Sequence, residues 1–239
     1  MKTLRVGLIV PINNTTMEGE LLAWLPAGST CRTLRIPRGK GTLLAADLPA
    51  YIAQAMALAQ GFSGDDIDMV VYGCTAAGFI AGPQRDAEVA AGLCAVTGKP
   101  TVTTASAMTA VLKDIGARNI ALITPYLEPV NQRLQVFLEE SGITVEALSS
   151  FLAQTTDELA AITGAQIAAR AREVMREHAD VDALFVACSQ LPTYELLDGL
   201  EREFARPVWS SIKATAWYAC RQKGTLLPAS QLTLLSRAF

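Results

Sequence analysis

Apolar runs of strand length alternate along this chain with longer stretches in which apolar positions recur every three or four residues. "RVGLIV" (5–10), "IDMVVYG" (67–73), "NIALIT" (119–124), "ITVEAL" (143–148) and "DALFVA" (182–187) are rich in Val, Ile and Leu, as strands buried on both faces require; "TVTT" (101–104) adds a short one. Between them the spacing predicts helices over 47–60, 82–98, 128–141, 164–179 and 191–204. Two of these open on Asp47-Leu48-Pro49 and Gly82-Pro83, as helix starts often do. Strand and helix alternating in this way predict an α/β protein with parallel sheets flanked by helices. No long linker or low-complexity segment interrupts it.

The pattern also repeats in register. "VGLIVP" (6–11) matches "IALITP" (120–125), and "DMVVYGC" (68–74) matches "DALFVAC" (182–188). Pro11 and Pro125 stand 114 positions apart, and so do Cys74 and Cys188. "GKPTV" and "ARPVW" recur at the shorter offset of 107. Two separate motifs sharing one offset predict a duplicated lobe with pseudo-twofold symmetry. The expected division is an N-terminal lobe over 1–115 and a C-terminal lobe over 116–207, with residues from about 208 to 239 packing back on the first lobe.

In open parallel sheets, ligands sit outside the carboxyl ends of the strands. Cys74 and Cys188 end equivalent strands, so they are expected to face one another across a cleft between the lobes. Each precedes small residues and an expected helix start, "CTAAG" and "CSQLP", whose free N–H groups would favour thiolate. Core packing does not demand the same residue at the same register twice, whereas Cys31, Cys94 and Cys220 have no counterparts and read as small apolar fillers. Two facing thiols can invert a stereocentre by removing a proton on one side and returning one on the other. They can also isomerise an alkene, one thiolate adding to it to leave a freely rotating single bond. A ligand-binding protein on the same frame is the non-enzymatic alternative.

Composition narrows the choice. With 239 residues, 51% of them hydrophobic and 18% charged, the chain can fill large cores, yet no apolar run reaches the ~20 residues of a membrane span. The apolar stretch before Pro11 is shorter than a secretory core, so a cytoplasmic location is the default expectation. Charges are dispersed around a net of −3, which predicts neither a nucleic-acid nor a membrane partner. Five scattered cysteines without a CxxC predict free thiols and no metal site. His178, the single histidine, falls at the end of a polar helix, so a Cys-His or Ser-His pair lacks a convincing base.

The segment "GLIVPINNTTMEGEL" (7–21), with "IALITPYLEP" and "VACSQLP", resembles the aspartate/glutamate racemase superfamily. Within it the chain is most similar to the maleate cis-trans isomerases, and arylmalonate decarboxylase is a more distant relative. The resemblance covers nearly the whole chain. It implies two flavodoxin-like lobes, no cofactor, a small carboxylic acid as substrate and a homo-oligomer, dimer or tetramer. It further implies Cys74 as nucleophile, Cys188 as proton donor and acceptor, and Asn14, Thr75, Ala76, Tyr126 and Ser189 as the groups that hold substrate carboxylates. The residues agree in part, since Asn14 and Tyr126 follow the prolines of the two repeated strands. Capping of "TTMEGELLAWL" is the other use for Asn14, and a core position the other use for Tyr126. One departure stands out: the isomerases carry an Asp-Asn pair where this chain has Thr155, Thr156, Asp157 and Glu158. The expected activity is cis-trans isomerisation of maleate or a similar unsaturated dicarboxylate. The alternatives are a two-base amino acid or hydroxy acid racemase and an arylmalonate-type decarboxylase.

Overall fold

The offset of 114 residues is built into the backbone. A computed structural model describes residues 2–228. In it β1 (Arg5–Pro11), β2 (Thr30–Ile36), β3 (Met69–Tyr72) and β4 (Thr101–Thr103) form one sheet in the order β2-β1-β3-β4. The strands β5 (Asn119–Thr124), β6 (Thr144–Ser150), β7 (Ala183–Val186) and β8 (Val208–Ser210) form a second in the order β6-β5-β7-β8. All pairings are parallel. Val6 pairs with Met69 and Ile9 with Tyr72; Ile120 pairs with Ala183 and Ile123 with Val186, each partner displaced by 114. The expected α/β class with two flavodoxin-like parallel sheets is what the chain forms.

Central strands β3 and β7 are buried throughout, as continuous apolar runs covered on both faces must be. The edge strand β2, "TCRTLRI", is exposed or half-buried at every position but its last, Ile36. Helices α1 (Met17–Trp24), α2 (Leu48–Ala59), the single turn α3 (Thr75–Phe79), α4 (Pro83–Thr97) and α5 (Thr104–Asp114) surround the first sheet. The second carries α6 (Glu128–Glu140), α7 (Thr156–Ala160), α8 (Gly164–Glu177) and α9 (Leu197–Phe204). The helix expected over 191–204 starts only at Leu197, because the chain after Cys188 first makes tight turns, Leu191 N–H donating to Cys188 O and Leu196 N–H to Thr193 O.

After β8 closes the second sheet, α10 (Ser211–Gln222) runs back against α5 and α1 of the first lobe. The remainder of the segment expected to return, 229–239, lies outside the described residues. Among those residues no helix is long and apolar enough to cross a membrane.

Two further contacts bolt the lobes together beside the cleft. The Glu20 carboxylate of α1 accepts hydrogen bonds from the Thr193 and Tyr194 N–H groups (2.7 and 3.1 Å) and from the Thr193 hydroxyl (3.0 Å). Thr15 N–H donates to Gln190 Oε1 (2.9 Å), and Gln190 Nε2 returns a bond to the Thr15 hydroxyl (3.1 Å).

Candidate active site

Gly73 delivers the first thiol. A Cβ at this position would stand 2.5 Å from Met17 Sδ and 2.7 Å from Val10 Cγ1, so only glycine lets β3 turn out over β1 and α1. Cys74 follows in extended conformation and α3 begins at Thr75. Cys188 occupies the matching place after β7. Both sulfurs line one cleft of about 640 Å³, open solvent at its mouth included, together with Asn14, Thr75, Ala76, Tyr126 and Ser189. All seven residues singled out from the sequence therefore meet in one place. Neither cysteine is open to bulk water: Cys74 is 5% exposed and Cys188 7%.

The two thiols have matching surroundings. Cys74 is approached by the N–H groups of Ala76 and Ala77, and Cys188 by those of Gln190 and Leu191, the Gln190 bond measuring 3.4 Å. In each case the donors are the second and third residues after the sulfur. Tyr51 of α2 lies beside Cys74 and Tyr126 beside Cys188. Both tyrosine hydroxyls are buried without a hydrogen bond of regular geometry, and the Thr75 hydroxyl shares that condition. Burying an unpaired hydroxyl costs on the order of 1–3 kcal/mol. Thr75 and Tyr126, both in the cleft wall, thus offer two donors that a bound acceptor would satisfy.

The expected preference for thiolate is not met. Burial pushes the Cys74 thiol up and the Cys188 thiol up to about 11, and the backbone N–H groups offset only part of that cost. Ionising one sulfur also opposes ionising the other. After Cys188, moreover, the donors belong to a turn, since the next helix starts nine residues on, at Leu197. Both groups rest as neutral thiols near neutral pH.

Asn14 serves the structure from both ends of its amide. Oδ1 accepts from the Thr16 and Met17 N–H groups (3.1 and 2.9 Å), capping the entry to α1, while Nδ2 donates to Ser189 O and Oγ (3.2 and 3.1 Å). Ser189 Oγ in turn donates to Gly73 O (2.6 Å). Ser189, held by Asn14, therefore ties the loop after one sulfur to the backbone before the other.

Several lining residues were not legible as site residues: Arg38, Thr42 and Leu43 of the loop after β2, Thr156 and Leu159 of α7, and Gln190. Thr156, noted only for standing where an asparagine was expected, bonds the opposite loop, its N–H donating to Lys40 O (2.9 Å). Among the other cysteines, Cys220 is buried and Cys31 half-buried, but Cys94 is exposed on α4 and fills no core. No group of three His, Cys, Asp or Glu side chains among the described residues is arranged to hold a metal ion.

Two parallel lobes meeting at paired strand-end cysteines define a class of proteins, and comparison with known ones specifies it. The chain belongs to the arylmalonate decarboxylase family, whose match spans residues 6–233. It is 29% identical over 225 residues to a maleate isomerase of Nocardia farcinica, covering 91% of this chain and 89% of that protein. The solved structure of the Nocardia farcinica maleate cis-trans isomerase, a cysteine-to-serine variant with a covalently bound succinylcysteine intermediate, superposes with a TM-score of 0.84 at 28% identity over 94% of each chain. The maleate isomerase of Pseudomonas putida S16 with maleate superposes with a TM-score of 0.88 at 26% identity over 98% of each chain.

Proposed function

We propose that this protein is a cofactor-independent cis-trans isomerase of maleate or a similar small unsaturated dicarboxylate, with Cys74 as nucleophile and Cys188 as the proton donor and acceptor. The observation that carries the reading is the pair of sulfurs at matched strand ends in one cleft, with the hydroxyls of Thr75 and Tyr126, neither in a hydrogen bond of regular geometry, beside them.

In the proposed sequence, Cys74 first releases its proton to solvent, and the resulting thiolate adds to one alkene carbon. A C–S bond forms, and the π electrons move to the neighbouring carbon, where the adjacent carboxylate delocalises them. Cys188, held neutral by burial, gives that carbon its proton. The former double bond is now single and turns by half a revolution. Cys188, now thiolate, takes a proton back, the double bond re-forms in the trans arrangement and Cys74 leaves as thiolate. Atoms and electrons return to their starting inventory. Thr75, Tyr126 and the Ala76 N–H are assigned to the carboxylate next to the developing negative charge, where fixed donors stabilise it most, and the Ser189 hydroxyl joins them by giving up its bond to Gly73 O. Asn14 keeps Ser189 in place and reaches a carboxylate by exchanging one of its two bonds to that residue.

Maleate added to the reduced protein and followed by NMR should yield fumarate, and mass spectrometry of Cys188→Ala with maleate should find one substrate equivalent on Cys74. A folded, reduced protein that produces neither would refute the reading. The paired thiols also support a two-base racemase. That activity would introduce deuterium at the stereocentre of an amino or hydroxy acid in D₂O, whereas decarboxylation of an arylmalonate would release carbon dioxide.

A further inference from the structure

Most polar groups around the sulfurs are already engaged. Asn14 spends both amide protons on Ser189, Ser189 gives its own to Gly73, Gln190 is bound to Thr15, and the Thr156 hydroxyl donates to Lys40 O (3.3 Å). At one side the Thr75 and Tyr126 hydroxyls stand beside each other and beside Cys188 without a hydrogen bond of regular geometry. On the other wall stands Arg38, the single charged side chain among the residues lining the cleft. Its guanidinium donates through Nη2 to Gly41 O (2.6 Å), leaving Nε and Nη1 with no protein acceptor among the described residues. Its charge reaches Cys74, where it favours the thiolate.

The loop bearing Arg38 is fixed from across the cleft. Gly41 forms an antiparallel bridge with Thr155, Thr156 N–H donates to Lys40 O (2.9 Å), and Lys40 Nζ meets Asp157 (2.7 Å). Gly41 and Thr155 are themselves 114 positions apart, so the pseudo-twofold axis passes through this bridge, and Thr42 and its counterpart Thr156 both line the cleft. The counterpart of Arg38 under the same offset is Leu152, so the positive charge has no twin.

We propose that Arg38, with the Thr42 hydroxyl, binds the second carboxylate of the substrate while Thr75 and Tyr126 hold the first, and that Arg38 makes the site selective for dianions over monoanions. The inference rests on the isomerase reading and deepens it. A guanidinium presents two parallel donors to a carboxylate, and hydrogen bonds between ionised partners contribute roughly 1.5–3 kcal/mol, on the order of a tenfold to hundredfold change in binding.

The test compares maleate with monomethyl maleate on the wild type, Arg38→Gln and Arg38→Lys. Arg38→Gln should raise KM for maleate by about tenfold to hundredfold and should lower the monoester's kcat/KM several-fold less than that of maleate, the shared loss being that of the thiolate support given to Cys74. Arg38→Lys should recover part of the loss for maleate. Equal losses on both substrates would assign Arg38 to loop structure alone and overturn the proposal, as would an unchanged KM for maleate. If the wild type does not convert maleate, the isomerase reading fails on its own. The carboxylate site is then read from protection of Cys74 and Cys188 against iodoacetamide. Succinate should protect better than butyrate in the wild type and lose that advantage in Arg38→Gln, and a persisting advantage would overturn the proposal.

Discussion

Asp86 offers the sharpest test of how this interior is built. The carboxylic acid lies on α4, 3% exposed, with Oδ2 accepting from the Thr103 hydroxyl (2.6 Å) and Oδ1 meeting no donor beside Gly78 of α3. The Ser106 N–H favours the ionised form, no cation contributes, and burial dominates, raising the group from 3.8 to about 7. Below pH 3.8 the folded and unfolded chains both hold this proton. Between 3.8 and about 7 the unfolded chain releases it while the folded chain keeps it, so the native state loses ground as pH rises. Roughly three pH units at 1.36 kcal/mol each set a ceiling of about 4 kcal/mol on the stability lost across that window. Asp86→Asn removes the titration and keeps an oxygen for Thr103. Urea unfolding of both proteins from pH ~4 to ~8 should show the variant gaining on the wild type as pH rises, the difference levelling above pH ~7 and staying below that ceiling. Parallel stability curves would refute the reasoning, because they would mean Asp86 ionises in the native protein as readily as in the unfolded chain.

Tyr126→Phe should raise KM for the dicarboxylate while unfolding stability changes by less than about 1 kcal/mol, since the buried hydroxyl it deletes meets Cys188 and Thr75 without a hydrogen bond of regular geometry. Steady-state kinetics and denaturation on one preparation decide it. Gly78→Ala would set a methyl 2.6 Å from Ala105 Cβ and 2.8 Å from Asp86 Oδ1, costing about 1–3 kcal/mol and displacing α3 with Thr75 and Ala76. Thermal melts should show the loss, and turnover should fall with it. The pH dependence of kcat/KM should climb from neutral toward alkaline pH as Cys74 gives up the proton that burial holds on it, then fall as Cys188, at about 11, ceases to be an acid. A profile that declines from neutral pH upward would contradict the assigned roles.

What the sequence disclosed and what it concealed have a common physical origin. Strands covered on both faces must be apolar throughout, so β1, β3, β5 and β7 stood out, and their shared offset carried Cys74 and Cys188 with it. The edge strand β2 was hidden because half its surface is open, letting arginines alternate with apolar residues. Helix α5, "TASAMTAVLKD", was hidden by its small residues, and the late start of α9 by turns that carry no period. Arg38 and Thr42 belong to a connection placed by a backbone bridge to Thr155, which neither propensity nor hydrophobic spacing records. The depressed thiol acidity was missed for another reason: strand-end position is a local property, whereas desolvation depends on everything that closes over the sulfur.

Arginine at position 38 and leucine at position 152, like Ile12 and Tyr126 or Asn14 and Glu128, are paired positions at which the duplicated halves differ. A molecule whose ends are interchangeable in solution acquires a head and a tail on entering such a cavity. Under the proposed assignment the sulfur of Cys74 meets the carbon beside the same carboxylate subsite, on the same face, in every turnover, so unmatched residues between duplicated halves confer stereochemical direction on a ligand that has none of its own.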